Sequence, residues 1–220
     1  MRVVAVIPAY NAESTLSIVV SGLNDIGLTD GIIVNDGSTD STKDISTSFK
    51  MINHSKQMGV GAALKTGFKS ALEQGAELVL TIGADNQRNF VDCLKLLEEK
   101  ETDLVIGVKN LNSPNIPTGR KIAGKILTRL FNFKTFLAGG KFKISDCLSG
   151  FRVLNKDALQ IALGINEDDY SFDVRLLRAA ISHGLRIKEV PVEVYYHKDS
   201  TRMRVPALTF FKILYKLIKN

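Results

Sequence analysis

The chain has 220 residues, 45% of them hydrophobic and 24% charged, with a net charge of +6. Such a composition can build a globular core and excludes a disordered or collagen-like chain. The two cysteines, Cys93 and Cys147, cannot form a disulfide framework and match no metal-binding spacing, so they read as reduced, packed thiols of a reducing compartment.

In chain order, the β-branched run 2–7 predicts a strand buried on both faces and ended by Pro8. Leu16, Val19, Val20 and Leu23 then recur at helical spacing. Residues 31–34 predict a second strand, followed by the turn Asn35-Asp36-Gly37-Ser38, with Thr39 or Asp40 placed to cap the next helix. Residues 51–54 predict a short third strand, and Gly59 and Gly61 open a helix that runs through Ala71. Strands at 77–82 and 103–108 flank a helix around 90–99. This alternation predicts βαβ units on a mostly parallel sheet, an α/β fold.

The second half is less regular. A helix is expected over 119–137, with Ile122, Ile126, Leu127, Leu130 and Phe131 on one side. A polar turn-like stretch, 146–152, runs into a short strand at 151–154. A helix follows at 171–183. Strands at 186–190 and 192–196 are interrupted by Pro191, and an amphipathic helix at 205–219 closes the chain. There is no repeat and no Pro/Ser-rich linker, which predicts one domain over 1–220.

Charge is unevenly spread. Residues 104–145 hold eight Lys or Arg and no acid, residues 198–219 hold six against Asp199, and the rest of the chain carries −7. Two such segments imply an anionic partner: phosphates, lipid head groups or nucleic acid. Nucleic acid is disfavoured, because the basic segments carry no recognisable binding motif or interleaved stacking platform. The first apolar run is too short for a secretory leader, and no window of about 18 residues is apolar and charge-free. A cytoplasmic protein is expected, soluble or peripheral on the cytoplasmic face of a membrane. Phe211, Leu214, Tyr215 and Ile218 share a helix face beside Lys212, Lys216 and Lys219. Lys121, Lys125 and Arg129 flank the apolar stripe of 119–137. Basic amphipathic helices suit an anionic interface, although any surface helix also packs one face on its core. His54, His183 and His197 have no ligand spacing.

Ligands of an open parallel sheet bind beyond the carboxyl ends of its strands. Three polar clusters fall there: Pro8-Ala9-Tyr10-Asn11, Asn35-Asp36-Gly37-Ser38 and Asp85-Asn86-Gln87. One could be loop polarity; three after three strands build one site. The segments VVAVIPAYNAESTL, IIVNDGSTDST, GVGAALKTGF, ADNQ and DCLSGFRVL together resemble the inverting family 2 glycosyltransferases. Within them the likeness is to the branch of dolichyl-phosphate mannose synthase and related polyprenyl-phosphate glycosyltransferases. The resemblance runs in the right order over almost the whole chain.

The resemblance implies a GT-A-like, Rossmann-like three-layer sandwich. It implies a nucleotide-binding half (1–110), an acceptor half (111–204) and a C-terminal amphipathic helix (205–220). It assigns a nucleoside diphosphate sugar, GDP- or UDP-hexose, to Pro8, Tyr10, Glu13, Val34, Asp36, Ala84, Asp85, Gln87 and Arg202, with Asp36 as the reader of the base. Mg2+ or Mn2+ is implied at Asp85 and Gln87. Gly83 stands where the family's first metal-motif acid is usual, and magnesium needs few protein ligands because phosphates and waters complete its shell. Asp85 and Asp146 are the implied catalytic acids, with Asp146 either a general base or a loop-holding Asp. Arg120, Lys121, Ser149 and Arg152 are expected at the acceptor. The activity implied is hexose transfer to an acceptor, favoured as a polyprenyl phosphate such as a dolichyl phosphate. A glycan hydroxyl acceptor, or nucleotide-sugar binding with little turnover, are the alternatives.

Overall fold

The computed structural model describes residues 1–110, 116–140, 142–195, 211 and 213–215. Among these residues seven strands are formed: β1 (Val3–Ala9), β2 (Gly31–Asn35), β3 (Lys50–Asn53), β4 (Leu78–Thr81), β5 (Leu104–Lys109), β6 (Arg152–Asn155) and β7 (Ile187–Val192). They make one sheet in the order β3-β2-β1-β4-β6-β5-β7. All pairings are parallel except those of β6, which runs antiparallel between β4 and β5.

Side chains of β1 alternate between the two faces. Val4 and Val6 join the core under helices α2 (Val60–Glu73), α4 (Thr118–Leu137), α5 (Lys156–Leu163) and α6 (Ser171–Ser182), while Ala5 and Ile7 join the core under α1 (Leu16–Asp25) and α3 (Val91–Leu97). The result is the expected three-layer sandwich. Because chain order reverses at β1, with β2 on one side and β4 on the other, the loops after β1 and β4 part and leave a crevice between them.

Both prolines expected to interrupt strands lie inside them, for one reason. Pro8 pairs with Val34, but Val6, two residues earlier on the same edge of β1, is the last residue that β4 pairs. The missing N–H of Pro8 therefore falls beyond the end of β4. Pro191 is in β7, the last strand of the sheet, on the side away from β5, since Arg186 and its even-numbered successors face β5. A strand tolerates proline where the ladder asks for no donor. The helix expected after Asp40 is a single 3-10 turn, Ser41–Asp44, capped by the Asp40 carboxylate accepting the Thr42 N–H.

The glycines that open α2 are demanded by packing. Gly61 and Ala62 donate their N–H groups to the carbonyl of Asp168, so the loop before α6 sits on the start of α2. A Cβ on Gly59 would lie 2.3 Å from that carbonyl, and Gly59 has φ +108°, a left-handed conformation that favours glycine.

The apolar positions of α4 divide differently from expectation. Leu127 and Phe131 are buried, whereas Ile122 and Ile126 are exposed, as are Phe133, Phe136 and Leu137. At about 100° per residue the two pairs point to opposite sides of the helix. In the C-terminal segment Ile213 is the buried residue, while Phe211 and Tyr215 are exposed; the rest of the 205–219 helix lies outside the described residues. Among the described residues no helix is long and apolar enough to cross a membrane.

Asp103 fastens the far half of the sheet. Its carboxylate accepts from the Arg186 backbone N–H, from Arg186 Nε and Nη2, and from Asn155 Nδ2, which joins the starts of β5 and β7 to the end of β6. The Arg186 side-chain bonds hold its pKa below the ordinary carboxylate value of 3.8. A depressed pKa contributes stability that is present above the unfolded value and lost as pH falls through the folded one. Asp103→Asn is expected to lower the unfolding free energy by about 1–3 kcal/mol at neutral pH. In urea titrations the difference from the unsubstituted chain should close in the acid range below 3.8.

Candidate active site

The crevice is walled by the ends of β1, β2 and β4. Tyr10 stands exposed after β1. The Asn11 side chain accepts the Thr39 N–H, and the Asn11 N–H donates to Ser38 Oγ, so the loops after β1 and β2 are tied together. Glu13 belongs to that tie: its carboxylate accepts the Ser41 N–H. Asp36, at the end of β2, accepts the Met58 and Gly59 N–H groups at 2.8 Å each and lies 2.8 Å from His54 Nδ1. Val34 is fully buried in the core against α2, so its side chain cannot touch a ligand in the crevice.

After β4, the carbonyl of Ala84 accepts the Thr15 hydroxyl. Asp85 Oδ1 accepts the Gln87 N–H, and no hydrogen bond to Oδ2 comes from a described residue. Burial pushes the Asp85 pKa up, against the Gln87 N–H, Arg88 and Arg120, which pull it down. A Cβ on Gly83 would lie 3.3 Å from Asp85 Oδ1, so glycine leaves that oxygen its room. Gln87 is buried, and its Nε2 has no partner among the described residues. Among these residues no three His, Cys, Asp or Glu gather at one point. A carboxylate desolvated without full compensation nonetheless fits a hard divalent cation that takes its remaining oxygens from a diphosphate and water; the unpaired Gln87 Nε2 is a donor, so a ligand from Gln87 would be its Oε1.

The third wall follows from β6 running antiparallel. Arg152, its first residue, pairs with Thr81, the last of β4, so the preceding loop returns to the carboxyl end of the sheet. There the Ser149 hydroxyl donates to the Gly107 carbonyl and the Thr81 hydroxyl to Gly150. Arg152 is 1% exposed; Nε donates to Ser149 O and Nη2 to Asp173 O, with Nη1 3.4 Å from the Asp173 carboxylate. Ser149 and Arg152, expected at the acceptor, are thus buried and committed to the framework, and neither is open to an acceptor here. Burial raises the Asp173 pKa, with Arg152 opposing and Asp146 adding to the rise.

Asp146 is also buried, at 1% exposure. Oδ1 accepts the Leu148 N–H, and Lys109 Nζ, at the end of β5, lies 2.9 Å from Oδ2, an ion pair off the axis of a hydrogen bond. Arg120 and Lys121, in the first turn of α4, are partly exposed. Arg120 acts electrostatically on both Asp85 and Tyr170. Arg202 lies outside the described residues. Lys109, Tyr170 and Asp173 are members that motif reading missed. Asp173 carried a signal: it is an acid on the helical face shared with Leu177 and Ala180.

The glycosyl transferase family 2 model matches residues 4–161. The chain belongs to that family. It is 30% identical, over 97% of its length and 93% of the relative's, to a UDP-N-acetylglucosamine–dolichyl-phosphate N-acetylglucosaminyltransferase of Methanococcus voltae. It is 30% identical, over 87% of its length and 83% of the relative's, to an undecaprenyl-phosphate mannosyltransferase of Micrococcus luteus. Among solved structures it is similar to glucosyl-3-phosphoglycerate synthase from Mycobacterium tuberculosis, in complex with Mn2+, UDP and phosphoglyceric acid. The TM-score is 0.75 at 16% identity, over 99% of this chain and 78% of that one. The sheet and layers are therefore those of a GT-A glycosyltransferase, and the family 2 enzyme carries its crevice at the ends of β1, β2 and β4.

The Lys109–Asp146 pair is lopsided. The Lys109 side chain is 18% exposed and Asp146 1%, so the lysine alone can turn to water. Lys109→Met should strand a buried charge and cost about 3 kcal/mol. Asp146→Asn should cost markedly less, and the double substitution should recover most of the Lys109→Met loss, as read from chemical denaturation.

Proposed function

We propose that this family 2 glycosyltransferase moves a hexose from a nucleoside diphosphate sugar to a polyprenyl phosphate, inverting the anomeric carbon, at a membrane surface. The observation that carries the choice of acceptor is the state of Asp146. A sugar hydroxyl loses a proton as it attacks, and a positioned base supplies about 10²–10⁴ in rate. Asp146, the acid in the position of such a base, is buried and committed to Lys109 and the Leu148 N–H. A phosphate oxygen is already anionic and needs no base. The relatives from Methanococcus voltae and Micrococcus luteus, whose names carry dolichyl phosphate and undecaprenyl phosphate, support the same class of acceptor.

In this reading the acceptor oxygen forms the new bond to the anomeric carbon as the bond to the diphosphate breaks, and the negative charge departs with the diphosphate. Pro8, Tyr10 and Asp36 border the nucleotide. Asp85 and Gln87 would hold Mg2+ or Mn2+, which when bound supplies counter-charge to the leaving diphosphate. Arg120 and Lys121 face the acceptor phosphate from the start of α4, where a guanidinium fork suits phosphate oxygens. Lys109 keeps Asp146 neutralised, which removes a like charge from the path of an anionic nucleophile.

The outer face of α4 supports membrane docking. Ile122, Ile126, Phe133, Phe136 and Leu137 are exposed along one side, with Lys125 and Arg129 in the same stretch. An apolar stripe with basic neighbours suits the boundary of an anionic bilayer. Phe211 and Tyr215 add exposed aromatic surface in the C-terminal segment.

Asp85→Asn is expected to abolish metal-stimulated transfer while leaving thermal stability unchanged or raised, since it removes a poorly compensated, partly buried charge. Asp146→Asn is expected to keep transfer to a polyprenyl phosphate within about tenfold, against the 10²–10⁴ loss of a missing base. A loss of that larger size, with activity on a soluble glycan, would mean a hydroxyl acceptor. Donor binding without transfer to either would mean a binding protein. Co-sedimentation with anionic vesicles should fall in Ile126→Glu/Phe133→Glu and with added salt.

A further inference from the structure

The hydrogen-bond count at Asp36 narrows the donor. A carboxylate offers about four acceptor positions, two on each oxygen. Asp36 Oδ1 is spent on both: the Met58 N–H at 2.8 Å and His54 Nδ1 at 2.8 Å. Oδ2 accepts one bond, the Gly59 N–H at 2.8 Å. Among the described residues this leaves one acceptor position, on Oδ2.

His54 is fixed in that role from three sides. Its backbone N–H donates to Asn35 O, its Nε2 lies 3.0 Å from Thr66 Oγ1 on α2, and its side chain is 9% exposed. These partners suit the tautomer in which Nδ1–H donates to Asp36 and the Thr66 hydroxyl donates to Nε2. The segment 55–58 is packed closely on Gly37, where a Cβ would come within 2.3 Å of the Lys56 carbonyl carbon, and this contact holds it beside Asp36.

Nucleobases differ in what they present to such a group. Uracil and thymine show a single imide N–H between two carbonyls, which one acceptor satisfies. Guanine shows N1–H and an N2 amine hydrogen side by side, a pair that needs one lone pair from each carboxylate oxygen. Adenine and cytosine offer one exocyclic amine hydrogen beside a ring nitrogen lone pair, which repels a carboxylate placed to read that edge. A site with one acceptor left therefore leaves a guanine donor buried and unmatched, a mismatch that hydrogen-bonding sites reject strongly.

We propose that His54 is a positioning residue that makes Asp36 a single-acceptor reader, so that the donor is a uridine- or thymidine-type diphosphate sugar in preference to a guanosine one. This rests on the reading of Asp36 as the base-facing wall of a nucleotide-sugar site.

The test is calorimetric titration of the full chain with UDP and with GDP, each in the presence of Mn2+, alongside His54→Ala and His54→Asn. The unsubstituted chain should bind UDP at least about tenfold more tightly than GDP. His54→Ala frees a lone pair on Oδ1 and should narrow the ratio to within about threefold. His54→Asn restores an N–H donor near the Nδ1 position and should return the preference. A merely structural histidine would weaken both nucleotides alike and leave the ratio unchanged, which overturns the role of His54. Equal or tighter binding of GDP by the unsubstituted chain overturns the proposal outright, and that comparison decides it even if His54→Ala does not fold. Binding of neither nucleotide, or UDP binding unaffected by Asp36→Asn, removes instead the reading of Asp36 as a nucleotide wall.

Discussion

A guanidinium buried to 1% exposure organises the wall of the crevice formed by the loop before β6. Burial draws the Arg152 pKa down, and the carboxylates of Asp173 and Asp146 raise it again. A cation taken out of water is tolerated only where its donors are met and its charge is answered. Nε and Nη2 find the carbonyls of Ser149 and Asp173, while Nη1 has no hydrogen-bond partner among the described residues and meets the Asp173 carboxylate as an ion pair at 3.4 Å. Meeting them fixes the loop before β6 against the first turn of α6. Asp146, Lys109 and Tyr170 take their places around that joint.

The opposite side of the crevice, at the end of β2, is fixed by a chain of backbone contacts that ends on the same helix. Asp36 holds the N–H groups of Met58 and Gly59 at the entry to α2, and the N–H groups of Gly61 and Ala62 hold the Asp168 carbonyl. Asp168 precedes Tyr170 and Asp173 in one short loop and helix start. The two sides of the crevice thus share a support in the first turn of α2, and the glycines there permit the close approach.

The N-terminal half was legible because parallel βαβ units write their order into the sequence: an apolar run, a polar end, a helical period. Pro8 and Pro191 misplaced strand ends because their tolerance depends on which neighbour each edge meets, and only tertiary pairing decides that. Likewise α4 carries apolar residues on two sides, and periodicity alone did not tell the core side from the exposed one. Motifs located Asp36, Asp85 and Asp146 in the chain. They did not reveal that Asp36 is nearly saturated, that Lys109 neutralises Asp146, or that Arg152 and Ser149 face inward, since those facts depend on partners far away in sequence. His54 has no ligand spacing in the sequence, and its meaning comes from touching Asp36. The thiols of Cys93 and Cys147 agree with the expectation of packed cysteines: both are buried, with pKa values pushed up to about 12.

The antiparallel placement of β6 also bears on how the chain is made. β1 to β4 find their parallel partners among themselves, within residues 3–81, apart from one edge of β4. β5 has no such neighbour: its partners are Arg152–Asn155 and Ile187–Val192. During synthesis the apolar run Leu104–Val108 leaves the ribosome with both edges bare and stays so until those later segments emerge, on the order of seconds. Over that interval the nascent chain carries a template for unwanted strand pairing. The step that ends this exposure is the closing of β6 and β7 around β5, where the Asp103 clasp forms.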